Sequence, residues 1–337
     1  MKLINISLKT IIFAIILIST LFLLWLNKPL MTNKNIQIEF EIQNGTSFIG
    51  AIKKINSSGL NVSPFLMKIV ARFLLKDKVV QEGSYRINTK ITPLSLIKIL
   101  ETGSKIKETI TIIEGWTFKQ MRNEINNHPK LKHDSNLLSD AELIKMVSNE
   151  FKNPEGLFYP DTYVFDRGAS DFQIYKKAHQ QLIKILNQAW KNKQKNLPYK
   201  NIYEALILAS IIEKESSKVL ERPLIASVFI NRLKKRMRLQ TDPTVIYGMG
   251  DNFKGNLRKK DLKNKNPYNT YVNFGLPPTP ISLTSHSSIK AALNPKDGKN
   301  LYFVAKGDGS SHFSENLIEH NKAVNKYQRK LKKIKKK

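Results

Sequence analysis

The 337-residue sequence predicts an α+β protein in three parts: an N-terminal transmembrane helix, a small α+β module and a larger mixed α+β domain. Three observations lead there. An apolar run lies between Lys9 and Lys28; two strand-then-helix patterns follow it before residue 107; and from residue 108 a strand leads into a series of helical patterns broken by turn-rich stretches. The length exceeds one average domain, which suits one large unit and one small one.

The first element spans residues 10–27, preceded by a short segment, 1–9, that carries Lys2 and Lys9. Its 18 residues amount to about 27 Å of helix, close to the thickness of a bilayer core. Positive charge before the run places the N-terminus in the cytoplasm. A cleaved signal peptide is the alternative, but no small-x-small site follows, and Trp25 with Lys28 suit the membrane interface. The expectation is an uncleaved single-pass anchor in the plasma (inner) membrane, with the remainder outside the cytoplasm.

The second element, 34–107, opens with Gln37-Ile38-Glu39-Phe40-Glu41-Ile42, whose alternation reads as a half-buried strand. Asn44-Gly45 turns the chain, Thr46 and Ser47 precede a helical pattern from Phe48 to Ile55, and Ser57-Ser58-Gly59 stops it. Gly83-Ser84-Tyr85-Arg86-Ile87 reads as the next strand. Pro93 opens a helix through Leu100 that Gly103 ends. The order is similar to that of LysM-type glycan-binding modules.

The third element, 108–327, starts with the strand Thr109–Ile113 and the turn Glu114-Gly115, then a helix from Thr117. After a polar loop from Asn126 to Asp140 comes the cluster Pro154–Tyr163. Helices are expected over Phe172–Lys195, Tyr203–Ser217 and from Pro223 to Arg236. Asp242 to Pro280 has little periodicity, and so long an irregular stretch carrying aromatics points to function. A basic tail, 328–337, closes the chain.

The formal net charge of +29 suits an anionic partner such as nucleic acid, acidic lipid or an acidic polymer. Of the 56 basic residues only 10 are Arg, the side chain that reads bases bidentately, and much of the Lys excess fits solvated faces. The absence of Cys removes disulfides, thiolate nucleophiles and zinc-thiolate sites.

Chemistry concentrates at the end of the apolar helix Tyr203–Ser217, which carries Glu213-Lys214-Glu215. A carboxyl group at the end of a buried helix sits where burial raises its proton affinity, as a general acid requires. Two residues apart on a helix, Glu213 and Glu215 point about 200° from one another and cannot face each other as a pair. Each continues an apolar stripe, so periodicity does not choose between them. Both are also compatible with a plain charged helix end.

The chain continues Glu221-Arg222-Pro223 through Asn231-Arg232-Leu233, then Leu239-Gln240-Thr241-Asp242-Pro243 to Tyr247-Gly248. With Glu114-Gly115, the Gly156–Tyr163 cluster, Tyr268-Asn269-Thr270-Tyr271, Gly275-Leu276-Pro277-Pro278 and Leu301–Ala305, these blocks resemble, in order and spacing, the endolytic murein transglycosylases, the YceG-like family of inner-membrane wall enzymes. The resemblance implies lytic cleavage of peptidoglycan strands between N-acetylmuramic acid and N-acetylglucosamine, ending strand elongation near the peptidoglycan synthases. It implies that the catalytic acid is the Glu followed by Ser or Thr, here Glu215 before Ser216. No cofactor is called for. Gln240, Asp242, Tyr247, Asn269 and Tyr271 offer hydrogen-bonding groups and aromatic faces suited to N-acetylated sugars, or else serve as turn and core residues. Asn231 and Arg232 are candidate braces of the cleft, Glu155 and Asp161 read as turn formers, and Lys218, which would lower the proton affinity of Glu215 if it reached it, is expected to point to solvent or to substrate.

Rival readings find less support. Ser-x-x-Lys occurs three times, without the Ser-Asp-Asn and Lys-Thr-Gly that serine acyl transfer needs. No His or acid stands beside His312 at metal-ligand spacing, so no metal is expected. Nucleic acid is not expected for a domain outside the cytoplasm. A membrane-anchored peptidoglycan-binding protein without catalysis is the remaining alternative.

Overall fold

The computed structural model describes residues 8–30, 37–74, 80–87, 91–103, 105–148 and 150–329. Most of the expected cytoplasmic segment, the start of the 34–107 module and all but the first two residues of the basic tail lie outside the described residues. The fold is mixed α+β and falls into two compact units. One comprises Met1–Glu108 with Val164–Ala169, the other Thr109–Tyr163 with Ser170–Lys337.

In the first unit, α1 (Leu8–Asn27) is one unbroken helix, long and apolar enough to cross a membrane. Phe22, Trp25 and Leu26 near its C-terminal end, with Leu30 just beyond it, pack against the unit's own core. Then follow β1 (Ile38–Ile42), α2 (Phe48–Ser57), α3 (Pro64–Leu74), β2 (Gly83–Ile87) and α4 (Pro93–Thr102). β1 buries every second residue, and it pairs antiparallel with β2 so that Phe40 faces Tyr85, their rings stacked 5.4 Å apart. Ser47 caps α2 by accepting from the Gly50 N–H. Thr92 and Ser95 form a capping box for α4, which Gly103 ends in the left-handed conformation. Val164–Ala169 joins this unit through Arg167, whose guanidinium pairs with Glu39 and Glu108.

β3 (Lys107–Thr111) carries the chain into the second unit, followed by α5 (Phe118–Asn127) and α6 (Asp140–Val147). β4 (Thr162–Asp166) pairs with β3. The helices α7 (Phe172–Lys191), α8 (Ile202–Glu215), α9 (Arg222–Lys234), α10 (Asp242–Met249) and α11 (His286–Leu293) come next. A hairpin of β5 (Tyr302–Ala305) and β6 (Ser311–Ser314) and then α12 (Leu317–Val324) complete the unit.

The centre of this unit is α8. Ala205 to Ile212 are all buried, because α7, α9, α10 and α11 pack around the helix. A helix enclosed on every side is apolar on every side, which is why no stripe singled out one face of it. Its one buried hydroxyl in that run, Ser210, donates to the Ile207 carbonyl and accepts from the Ile281 N–H, so burial leaves it paired.

Among the described residues, five helices fall where the sequence predicts none: α3, α6, α11, α12, and α10, which begins inside the stretch expected to be irregular. Pro243 suits the first turn of α10, whose eight residues are too few to show a period. Gly156, in the Pro154–Tyr163 cluster, has φ +74° and no room for a side chain: a Cβ there would lie 2.3 Å from the Pro280 Cβ.

Candidate active site

The last turn of α8 sends three consecutive side chains to three places. Glu213 turns inward, its side chain 4% exposed, and meets Arg222, 5% exposed, in a bidentate pair with N···O distances of 2.8 and 3.2 Å. The backbone N–H and hydroxyl of Ser285 also donate to Glu213. Arg222 donates further to Ser285, Ser287 and the Ser216 carbonyl. The ends of α8 and α9 and the N-cap of α11 are thereby locked together, and Glu213 has no freedom to react.

Glu215, the last residue of the helix, is half-buried and lines a cleft of about 620 Å³. α8 stops there because Ser216 turns to extended backbone, its hydroxyl accepting from the Lys218 N–H. One hydrogen bond reaches the carboxylate of Glu215 among the described residues: the Thr241 hydroxyl donates to Oε2 at 2.7 Å. Burial pushes the Glu215 carboxyl above the ordinary carboxylate range. The Thr241 hydrogen bond opposes this, and the neighbouring charge of Asp242 adds to it. Lys218 stays clear, its ammonium directed to the Asp308 carbonyl.

Thr241 is itself held. Its N–H donates to the Thr270 hydroxyl, which is 2.8 Å from that of Thr244, and the Gln240 N–H donates to the Thr270 carbonyl. Gln240 adopts a left-handed φ of 49°, a conformation costly for a side chain with a Cβ. Arg232 fixes this turn from beneath: it donates to the carbonyls of Arg238, Leu239 and Leu301 and lines the cleft. The opposite wall comes from β5, β6 and α12.

Of the residues singled out in the sequence, Gln240, Asp242 and Tyr271 share this cleft with Glu215. The Tyr271 hydroxyl donates to Asp242 at 2.6 Å, and burial raises the Tyr271 phenol further from ionisation. Asn269 is 1% exposed and faces inward: its amide donates to the carbonyls of Asp261, Leu262 and Asn264, and its oxygen accepts from the Tyr271 N–H. It orders the loop that presents Tyr271. Tyr247 lies apart, in a second cleft of about 700 Å³.

That second cleft contains a residue read from the sequence as a turn former. Glu155 is 5% exposed, accepts from the Phe118 N–H and the Tyr247 hydroxyl at 3.0 Å each, and burial pushes its carboxyl up to about 7. Its partners lie 37 and 92 residues away, so nothing local marked it. Thr241 escaped notice for the same reason. Among the described residues no three His, Asp or Glu side chains gather as a metal site.

Comparison with known proteins gives concordant results. A sequence family described as YceG-like matches residues 40–326. The chain is 36% identical over 267 residues to an endolytic murein transglycosylase of Bacillus subtilis, covering 73% of each chain. It is 28% identical over 279 residues to an endolytic murein transglycosylase of Streptococcus pneumoniae, covering 72% of this chain and 50% of that longer one. A crystal structure of a yceG-like protein from Listeria monocytogenes superposes with a TM-score of 0.54 at 32% identity, covering 85% of this chain and 99% of that one.

Proposed function

Because the chain belongs to the YceG-like family, we propose that it is an endolytic lytic transglycosylase acting on peptidoglycan, with Glu215 as its catalytic acid. The observation that carries this reading is the state of the two carboxylates at the end of α8. Glu213 is consumed by Arg222, whereas Glu215 opens on a cleft with its proton affinity raised and a single hydroxyl partner among the described residues. One carboxyl group is what lytic cleavage needs, unlike hydrolysis by a carboxylate pair.

Protonated Glu215 gives its proton to the glycosidic oxygen as the bond from that oxygen to the muramic anomeric carbon breaks. The carboxylate left behind takes the proton of the muramic 6-hydroxyl while that oxygen bonds to the same carbon. The product is a 1,6-anhydro end, the leaving sugar keeps the first proton, and Glu215 returns to its starting form with no water consumed. Gln240, Asp242 and Tyr271 are suited to contact the sugars directly. Asn269 acts through the loop it orders.

The anchor at residues 10–27 would hold the enzyme to the plasma (inner) membrane, N-terminus in the cytoplasm and residues 108–327 outside, near the synthases whose nascent strands it ends. The strand, helix, helix, strand order of the first unit supports a LysM-like glycan-holding role for residues 34–107. Mass spectrometry of strands digested by the full-length protein tests the chemistry: 1,6-anhydro-muramic ends are expected, and reducing ends would show hydrolysis instead.

Thr241 gives a further expectation. Its hydroxyl stabilises the charged form of Glu215, so Thr241→Val raises the proton affinity of the acid still more. The acid then stays protonated to higher pH, and the alkaline limb of the kcat profile moves upward. A limb unmoved, or moved downward, would separate Thr241 from the titration of Glu215.

A further inference from the structure

Adjacent residues divide between the two clefts at two points. Glu215 lines the first and Lys214 the second; Asp242 lines the first and Pro243 the second. The end of α8 and the start of α10 therefore contribute to the walls of both clefts. A polymer cleaved at Glu215 has sugars on both sides of the scissile bond, and the second cleft lies across this shared wall.

We propose that the second cleft is a distal subsite for the same strand, taking an N-acetylated disaccharide together with the carboxylate-bearing stem peptide on its muramic residue. The inference rests on the reading of the first cleft as the place of cleavage. The second cleft, about 700 Å³, lies in the range of sites that take drug-sized ligands and so has room for the disaccharide, with the peptide reaching its rim.

Its walls match the chemistry. Tyr247 and Tyr268 meet edge to face with ring centroids 4.8 Å apart, and each is fixed through its hydroxyl, Tyr247 to Glu155 and Tyr268 to Thr279. Aromatic faces held in place before a ligand arrives are a sugar platform with little ordering left to do. Beside them, the Lys214 ammonium donates to the Gly115 carbonyl and is in no ion pair among the described residues, whereas Lys119 is taken by Asp251. Lys214 thus offers an ammonium outside any such ion pair to an incoming carboxylate, in a cleft that also holds the Glu155 carboxyl.

The test uses the full-length Glu215→Gln protein, expected to hold strands while cutting them at least about a hundredfold more slowly, and uncrosslinked strands of defined length with and without stem peptides. Affinity is expected to rise about tenfold once a strand is long enough to reach both clefts. Asn123→Trp, placed on the exposed face of α5 that lines the second cleft, is expected to abolish that gain and leave short-strand affinity unchanged. Lys214→Gln is expected to remove the part that depends on peptides. Equal affinity for short and long strands, or a gain that survives both substitutions, would overturn the distal subsite alone. Failure of every strand to bind would overturn the reading of the first cleft with it.

Discussion

Glu215→Gln is expected to lower the rate of strand cleavage by about 10²–10⁴-fold, the usual contribution of a positioned general acid. The amide keeps the shape of the side chain, and its oxygen still accepts the Thr241 hydroxyl, so the cleft and its ligand contacts persist. The loss therefore falls on kcat, with KM little changed. Folding stability should stay the same or rise, because the substitution removes a group whose charged form burial opposes. Steady-state cleavage of purified strands, followed alongside thermal melting, checks both halves. Anhydro ends appearing at the wild-type rate would take Glu215 out of the acid role.

Arg222→Met is expected to act in the opposite manner, on the fold before the chemistry. It leaves the Glu213 carboxylate buried with Ser285 as its remaining partner, and breaking such a buried pair costs about 3–5 kcal/mol. For a unit of this size that lowers the melting temperature by on the order of 10 °C. The Ser216 carbonyl loses a donor as well, so the residue next to Glu215 is less constrained. Adding Glu213→Leu to Arg222→Met removes the stranded charge and should recover much of the stability. A double variant as unstable as the single one would show that the cost lies in the Arg222 hydrogen bonds to Ser285, Ser287 and Ser216 rather than in the uncompensated carboxylate.

The contrast between these variants shows what could be read from the amino-acid sequence and what could not. Local signals were sufficient for β1, whose alternation is visible in six residues, and for α2 and α4, whose caps at Ser47, Thr92 and Gly103 lie beside the pattern they end. Gln240, Asp242 and Tyr271 came forward with the blocks that resemble the YceG-like family rather than from local signals. Local signals could not divide Glu213 from Glu215, because the division is made by Arg222 nine residues on and Ser285 seventy-two residues on. Glu155 was read as a turn residue for the same reason. Its burial is created by α5 and α10, and no neighbour in the chain announces them.

Glu213, Lys214 and Glu215 reach the ion pair, the second cleft and the first cleft because each step along α8 turns the chain by about 100°. The length of this helix is therefore a phase setting. A one-residue deletion between Ala205 and Ile212 would preserve composition, apolarity and every motif, yet carry Glu215 round towards where Lys214 now points. Variation in chain length is better absorbed in the connection between α7 and α8, at its exposed Lys195 and Asn196, where an added residue rotates nothing that reacts.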